Sequence, residues 1–211
     1  MKAPMFRVHP HLSLVLLIFI LSGFVPKKEA ADSFKVDTIQ SKMRWTGYQL
    51  FGFGEHSGSI DLSDGVVRAE GDVITGGNFS IDMKSIRNLD MDEEGSKILT
   101  DHLKSDDFFS VDKFPSARFE ITKAEKITDA QPGGPNYDVT GTLTLKGVTN
   151  TLKFPATIKT ESDKLLVKAK FKFDRTRWNV RYSSGRFFDD VGDSAISDAI
   201  GIEIDLLASK N

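Results

Sequence analysis

The chain has 211 residues, of which 39% are hydrophobic and 27% are charged, and its formal net charge is −2. This balance is typical of a globular protein, and the lack of a long basic run argues against binding to the phosphate backbone of a nucleic acid. The sequence contains no cysteine, which excludes disulfides, thiolate catalysis and zinc–thiolate sites. Phe is unusually common, with 16 residues against three Tyr and two Trp. Because Phe has no polar atom to satisfy, this excess suits either a Phe-rich core or an interior that meets an apolar ligand.

The N-terminus has the features of a secretory signal peptide. Lys2 and Arg7 supply a positive start, and residues 12–25 form an almost wholly apolar run. Such a run has the length of a signal-peptide hydrophobic region and is short for a membrane span. The sequence therefore predicts a cleavable signal peptide over residues 1–31 and an exported, periplasmic domain over residues 32–211. An uncleaved N-terminal anchor is the alternative.

The rest of the chain is dominated by alternation of apolar and polar residues, the pattern of strands with one face toward water. The clearest run places Lys168, Lys170 and Lys172 on one face and Phe171 and Phe173 on the other. The same alternation groups Phe34 with Val36, Met43 with Trp45, Ile60 with Leu62, Phe79 with Ile81 and Met83, Phe119 with Ile121, Val139 with Gly141, Leu143 and Leu145, Leu152 with Phe154, Ala156 and Ile158, and Ile202 with Ile204 and Leu206.

Turn-forming residues separate these runs. The strongest signals are Ser63–Gly65, Gly76–Asn78 and Gln131–Asn136, and Lys146–Asn150 has the composition of a hairpin connection. One segment, from Ser96 to Phe109, instead has helical spacing and predicts a short helix with Ser96 as N-cap. Its apolar stripe consists of Ile98, Leu99, His102 and Leu103.

Strands with one apolar face must pack on a second sheet or close on themselves, so a sandwich and a barrel both remain open. About eight strands in a closed barrel enclose an interior that side chains can fill or that can hold one small ligand. The sequence predicts an all-β, antiparallel domain with one short inserted helix.

Three stretches resemble the YceI-like family: Leu99–Phe119, Val139–Thr149 and Asp174–Trp178. The likeness extends in the family's order from Phe34 to the C-terminus. It implies an extended, lipocalin-like barrel in the periplasm, whose bore takes up a polyisoprenoid such as a quinone tail, and it implies no catalytic residue. The glycine-rich segment Trp45–Gly58 departs from the family pattern, so the fold transfers more safely than the ligand.

Strand parity predicts the residues that line the bore: Trp45, Phe79, Ile81, Phe119, Leu143, Leu145, Phe154, Ile158, Phe171, Phe173, Ile202 and Ile204. Arg175, Arg177 and Arg181 form a local basic cluster that could hold an anionic headgroup, since guanidinium groups bind phosphate bidentately. Surface ion pairing is the alternative, with the acidic residues Asp189, Asp190 and Asp193 as partners.

No catalytic motif is present, so a binding protein and not an enzyme is expected. His56 and His102 have no metal-ligand spacing, and His102 is expected to order the helix through a ring hydrogen bond. The acidic residues before the helix lack EF-hand spacing and are expected to form a solvated loop: Asp90, Asp92, Glu93 and Glu94. No metal or cofactor is therefore predicted.

The predicted function is that of an exported lipid-binding protein, which holds a polyisoprenoid or isoprenoid-quinone-type lipid for transport, storage or stress-related sequestration. A structural envelope barrel with a packed core and no ligand is the alternative. Transient contact with a membrane and formation of a homodimer are further possible interactions.

Overall fold

A computed structural model describes residues 31–50, 54–188, 192 and 195–211, and the predicted signal peptide, apart from Ala31, lies outside them. The described residues form nine strands, one α-helix and one 3-10 turn. The strands are β1 (Asp32–Val36), β2 (Lys42–Gln49), β3 (Glu55–Glu70), β4 (Val73–Asn88), β5 (Ser116–Lys126), β6 (Tyr137–Leu145), β7 (Val148–Glu161), β8 (Lys164–Asp174) and β9 (Ile196–Lys210). Helix α1 (Glu93–Lys104) lies between β4 and β5, and the 3-10 turn (Arg175–Trp178) follows β8.

The strands close into one antiparallel barrel. Each strand from β4 to β9 pairs with its neighbour in sequence, β2 pairs with β9, and β3 pairs with both β2 and β4. β1 and β2 share one position in the wall, because both lie between β3 and β9 at different heights. The predicted lipocalin-like barrel with one inserted helix is confirmed, and the closed circuit of pairings excludes the sandwich.

The barrel has two different ends. At the helix end lie α1, the 3-10 turn and the first residues of β3, β5, β7 and β9. At the far end lie β1, the β3–β4 turn and the last residues of β5, β7 and β9. These two names are used below for the two halves of the barrel.

Strand β8 shows how alternation assigns the two faces of the wall. Lys168 and Lys170 are exposed and lie opposite Asp205 and Glu203 of β9, with N–O distances of 3.2 and 3.9 Å. Phe171 lies on the inner face. The predicted split of this strand is confirmed, and the outer ion pairs contribute no more than about 1 kcal/mol each because they are solvated.

Two predicted turns are wrong. Ser63–Gly65 lies within β3 and Gly76–Asn78 within β4, and the β3–β4 register shifts beside each of them. The chain instead turns at Gly71–Asp72, where Gly71 has a φ of 58°. Glycine-rich sequence also produces the bulges that curve long barrel strands, so composition by itself does not separate a bulge from a turn.

Two other turn predictions are confirmed. Gln131–Asn136 lies in the loop between β5 and β6. Lys146 and Gly147 alone connect β6 to β7, with φ values of 49° and 74°. Two successive positive φ angles are those of a two-residue hairpin turn whose twist matches the strands.

The N-cap of helix α1 lies four residues before the predicted N-cap, Ser96. The observed N-cap is Asp92, whose carboxylate accepts a hydrogen bond of 2.8 Å from the Gly95 backbone N–H. The Ser96 hydroxyl donates instead to the Asn88 carbonyl oxygen at 3.1 Å. Glu93 and Glu94 occupy the first turn, where carboxylates stabilise the helix dipole. The acidic segment predicted as a solvated loop is thus partly the start of the helix.

The buried face of α1 is narrower than predicted. Leu103 is buried and Leu99 packs against the core, but Ile98 is 64% exposed. A helix contacts the barrel along one narrow face, which holds three or four residues per two turns. Ile98 lies at the edge of this face and is therefore exposed to solvent.

The far end of the barrel is filled by its own side chains. Tyr137 is 4% exposed, and its hydroxyl donates to the Asp72 carbonyl oxygen, so its polar atom is satisfied. The buried apolar residues here are Phe34, Val36, Val67, Ala69, Ile74, Tyr137, Val139, Ala156, Ile158, Leu165, Leu206 and Ala208. The packed core expected of a purely structural barrel is therefore present at this end.

Candidate ligand-binding cavity

The helix end of the barrel is hollow. It encloses a cavity of about 260 Å³, whereas a single buried water needs only about 10–15 Å³. Every strand from β2 to β9 contributes to its wall, and α1 contributes Leu99 and Leu103. Phe108 and Phe109, in the segment after α1, complete the cover. The cavity therefore has room for a ligand and not only for isolated waters.

Most of the predicted interior residues line this cavity: Trp45, Ile81, Phe119, Leu143, Leu145, Phe154, Phe171, Phe173, Ile202 and Ile204. Phe79 and Ile158 lie deeper, toward the far end. Phe79 packs against the core, and Ile158 is 8% exposed within it. Parity assigns a residue to the inner face but says nothing of its depth along the barrel.

The cavity also contains residues that were not among the predicted site residues. Met43, Ile60, Met83 and Leu152 line it and follow the same alternation as their predicted neighbours, so the parity rule applied to every strand would have included them. Phe108 and Phe109 lie after the end of α1 at Lys104, so the predicted helix to Phe109 is wrong at this end. The backbone there is irregular, and no periodicity indicates which side chain points inward.

The deep end of the cavity is closed by a layer of aromatic rings, here called the phenyl floor: Phe79, Phe119, Phe154 and Phe171. The rings of Phe154 and Phe171 stack with centroids 4.3 Å apart, and Phe119 lies 5.5 Å from Phe154. Phe79 stacks behind Phe119 at 6.3 Å. Gly141 of β6 allows this contact, because a Cβ there would come within 2.4 Å of the Phe119 ring.

The Trp45 indole is accommodated in the same way. Its partner across the β2–β3 pair is Gly58, and a Cβ on Gly58 would come within 2.5 Å of the indole. An aromatic ring that covers a glycine on the neighbouring strand brings the wall residues close together without a clash.

The polar side chains of the lining lie at the mouth, on the helix end. Gln49 ends β2, His56 and Ser197 lie near the starts of β3 and β9, and Arg175 follows β8. The rest of the described lining is almost wholly apolar. The cavity therefore has a polar rim and an apolar depth.

Arg175 is a buried brace in the wall of the mouth. Its guanidinium donates to the carbonyl oxygens of Ser197, Val180 and Ile196 at 3.1, 2.9 and 3.3 Å. Burial lowers the pKa of Arg175, but a guanidinium keeps its proton in proteins. The side chain of Asp198 lies 3.9 Å away and offsets the charge.

The other two predicted headgroup arginines lie outside the cavity. Arg177 donates to the Thr151 carbonyl oxygen at 3.0 Å and covers the Trp178 ring. Arg181 lies over the Phe187 ring at 4.4 Å. The structure thus does not bring the three arginines together, because the turn after β8 directs neighbouring side chains to different sides of the wall.

Ion pairing does occur in this region, with partners other than those expected. Arg186 binds the carboxylates of Asp174 at 3.0 Å and Asp198 at 3.4 Å. The predicted partners Asp189, Asp190 and Asp193 lie outside the described residues.

The Arg-Thr-x-Trp element ties the 3-10 turn to the barrel. The Asp174 carboxylate caps the turn by accepting from the Thr176 backbone N–H at 2.9 Å. The indole N–H of Trp178, which is fully buried, donates to the Leu143 carbonyl oxygen of β6 at 2.8 Å. Together with Arg175, these bonds hold the wall of the mouth in place.

His102 orders α1 by ring packing and not by the expected ring hydrogen bond. It meets the rings of Phe108 and Tyr182 edge to face, with centroids 5.1 and 4.5 Å apart. The Asp107 carboxylate is 4.0 Å from Nδ1, beyond hydrogen-bond distance. An imidazole between two aromatic rings contributes mainly packing.

His56 lies at the mouth, 3.4 Å from the Asp90 carboxylate. Burial alone would raise the pKa of Asp90, but hydrogen bonds from the Asn88 side chain and the Ser57 backbone outweigh it and hold that pKa below its ordinary value. The carboxylate therefore stays ionised at neutral pH. The described residues contain no group of three side chains that could hold a metal ion.

A closed antiparallel barrel with an apolar cavity and a polar mouth defines the class of small barrels that enclose a ligand, the architecture of the lipocalins. The model of the YceI-like domain matches residues 34–208. The chain therefore belongs to the YceI-like family.

Solved structures show the same fold. BcnA of Burkholderia cenocepacia superposes with a TM-score of 0.62 at 24% identity, over 82% of this chain and 99% of that one. A polyisoprenoid-binding domain from Saccharophagus degradans superposes with a TM-score of 0.60 at 11% identity, over 84% and 98% of the two chains.

Curated relatives match over shorter stretches. A UPF0312 protein of Pectobacterium atrosepticum is 40% identical over 62 residues, which is 29% of each chain. A UPF0312 protein of Pseudomonas aeruginosa is 30% identical over 144 residues, or 64% of each chain. The matches thus cover less than two thirds of these relatives.

Proposed function

We propose that this protein binds a polyisoprenoid or a similar long apolar chain, such as an isoprenoid-quinone tail, in the cavity at the helix end. The observation that carries the proposal is the lining itself, which is almost wholly apolar along its depth and has its charged side chain, Arg175, at the mouth. The polyisoprenoid-binding domain of Saccharophagus degradans, which shares the fold, supports this class of ligand.

The chemistry of the lining favours an apolar ligand over a polar metabolite. Each methylene that moves from water into such a wall contributes about 0.8 kcal/mol. A polar group that enters without a hydrogen-bond partner instead costs about 1–3 kcal/mol. The phenyl floor offers no such partner, so a ligand with polar groups along its length would bind weakly.

A binding protein, and not an enzyme, is the function that the lining supports. Among the described residues of the lining, Arg175 and His56 lie at the mouth and already have partners. Arg175 donates to three backbone carbonyls, and His56 lies beside Asp90. General acid–base or nucleophilic catalysis needs a pair of such groups around a reacting atom, and the described depth of the cavity holds apolar side chains instead.

We also infer that the protein is exported to the periplasm and exchanges its ligand during transient contact with a membrane. The N-terminal apolar run supports export. Large apolar side chains at the helix end are at least 40% exposed, which supports contact of the mouth with lipid; among them are Leu50, Tyr182, Phe187 and Phe188. Intact Met1 on a membrane-bound form, found by N-terminal sequencing, would contradict export. A homodimer stays a prediction, which light scattering of the purified protein checks.

Gly47 offers a direct test of the ligand proposal. Gly47 faces the mouth of the cavity, and a Cβ added there meets nothing within 4 Å. Gently purified wild-type protein should release about one isoprenoid-type chain per molecule into organic solvent, as measured by mass spectrometry. Gly47→Leu should fold normally and release much less, because its side chain occupies the entrance.

The neighbouring residue provides a matched control. Thr46→Val changes the next position of β2, which lies outside the cavity lining, and should leave the lipid yield unchanged. Recovery from the wild type of only polar metabolites, or of nothing after expression in a lipid-replete host, would contradict the proposal and favour a barrel without a ligand.

A further inference from the structure

The hollow part of the barrel ends at a definite depth. On β9, Ile200 and Ile204 line the cavity, whereas Leu206 and Ala208, on the same face, are 4% and 0% exposed and belong to the packed core. On β7 the change falls between Phe154, which lines the cavity, and Ala156, which is fully buried. The boundary lies at the phenyl floor on both strands.

The wall is built to hold the floor in this position. The Phe154 and Phe171 rings are nearly parallel, at 10°, and the Phe119 ring completes the layer from the other side of β6. The ring of Phe119 can lie there only because β6 has Gly141 at this height, where a Cβ would also come within 2.3 Å of the Glu120 carbonyl oxygen. A side chain at Gly141 would displace the ring.

The cavity is also polarised along its length. Its polar lining side chains, such as Gln49 and Ser197, lie at the mouth, and its deepest residues are phenyl rings. A chain with one polar end therefore enters tail first and leaves its headgroup at the rim, where polar groups keep hydrogen bonds.

We propose that the phenyl floor sets the length of ligand chain that this protein accepts. This inference rests on the proposed function. From Ile196 to Ile204 along β9, a rise of about 3.3 Å per residue and a tilt of about 40° give a bore of about 20 Å. Affinity rises by about fourfold for each methylene buried in this bore. Once the tail meets the floor, further isoprene units stay in water and add nothing.

The test compares a series of isoprenoid alcohols on delipidated protein: geraniol, farnesol, geranylgeraniol and solanesol. Each alcohol competes with a fluorescent polyprenyl probe. In the wild type, affinity should rise along the first members and then level off. In Phe154→Ala, which removes one ring of the floor, the plateau should move to a longer alcohol.

Ile158→Ala is the matched control. Ile158 is on the same strand and the same face but below the floor, so its truncation should lower thermal stability without moving the plateau. If Phe154→Ala does not fold, Phe154→Leu and Phe171→Leu open the floor with a smaller loss of volume.

The outcomes separate the two proposals. A wild-type affinity that keeps rising through solanesol, or a plateau that is identical in the floor variants and the wild type, overturns the length limit and leaves lipid binding intact. Equal plateau shifts in Phe154→Ala and Ile158→Ala overturn it as well. Failure of every alcohol and of the probe to bind the wild type overturns the proposed function and the length limit together.

Discussion

The two ends of the barrel are made from the same strands by the same alternation, yet one is packed and the other is hollow. Strand β9 shows both states, because Ile202 and Ile204 line the cavity and Leu206 and Ala208 are buried in the core. Alternation determines which residues face inward, but it does not determine whether the interior is full.

Residue size accounts for much of the difference. At the far end, small residues such as Ala69, Ala156 and Ala208 alternate with large ones such as Phe34 and Leu165, and all of them are at most 2% exposed. Large and small side chains interdigitate to the density of a protein interior. At the helix end, isoleucines and phenylalanines line the cavity, so their cavity-facing atoms have no protein side chain as a packing partner.

The two ends therefore divide the work of the molecule. We expect the close-packed far end to contribute more to the free energy of folding per residue, whereas the helix end keeps part of its apolar surface available for a ligand. A bound chain would replace the missing contacts and stabilise the folded state by mass action.

The largest expected effect is loss of stability at the far end. Leu206→Ala should lower the free energy of unfolding of delipidated protein by about 2–5 kcal/mol, because it leaves a void in a close-packed core. Urea denaturation measures the change. Lipid bound per folded molecule should stay at the wild-type level.

The same truncation on the same strand at the helix end should cost less. Ile202→Ala should lower the free energy of unfolding of delipidated protein by about 1–2 kcal/mol, since the side chain borders the cavity and not other side chains on that side. Its binding of a polyprenyl probe should weaken. Equal losses of stability in Leu206→Ala and Ile202→Ala would show that the ends do not differ.

An enlarged side chain sharpens the comparison. In a packed core, Phe171→Trp would cost about 1–3 kcal/mol by overpacking. Phe171 lines the cavity, so we expect the thermal stability of delipidated protein to hold or rise. Probe binding should nevertheless fall, because the indole occupies ligand volume. A loss of stability together with a wild type that binds no probe would indicate a packed interior.

Substitutions on the outer face of the barrel should have little effect on stability or on ligand binding. Lys170 is 83% exposed and lies 3.9 Å from the Glu203 carboxylate. Lys170→Glu should change the free energy of unfolding by no more than about 1 kcal/mol, since exposed ion pairs contribute little. Probe binding should equal that of the wild type, and a clear loss would mean that this face takes part in ligand uptake.

The sequence predictions failed at positions where one local residue pattern is typical of two different kinds of local structure. Asp92, Glu93 and Glu94 are typical of a solvated loop and equally of a helix N-terminus, and here they begin α1. Gly76 and Gly77 are typical of a turn and equally of a bulge, and here they lie within β4 beside a shift in the β3–β4 register. Only the surrounding contacts decide between the members of each pair.

The sequence by itself determined where most of the strands lie and which face of each of these strands is apolar. The reason is that the pleat of a strand gives side chains a period of two, which is visible without any knowledge of the fold. Phe171 and Phe173 could be placed inside and Lys168, Lys170 and Lys172 outside on this ground alone, and the motifs from Leu99 to Trp178 indicated the family.

The tertiary structure decided how deep in the barrel each inward-facing residue lies. Phe154 and Ile158 have the same parity on the same strand, yet one closes the cavity and the other lies in the core below it. Arg175 and Arg177 are two residues apart, yet Arg175 braces the mouth from a buried position and Arg177 is exposed and covers the ring of the buried Trp178. Depth and direction depend on the stagger of the closed barrel and on contacts with residues far away in sequence, such as Gly141 beneath Phe119, and no local pattern encodes them.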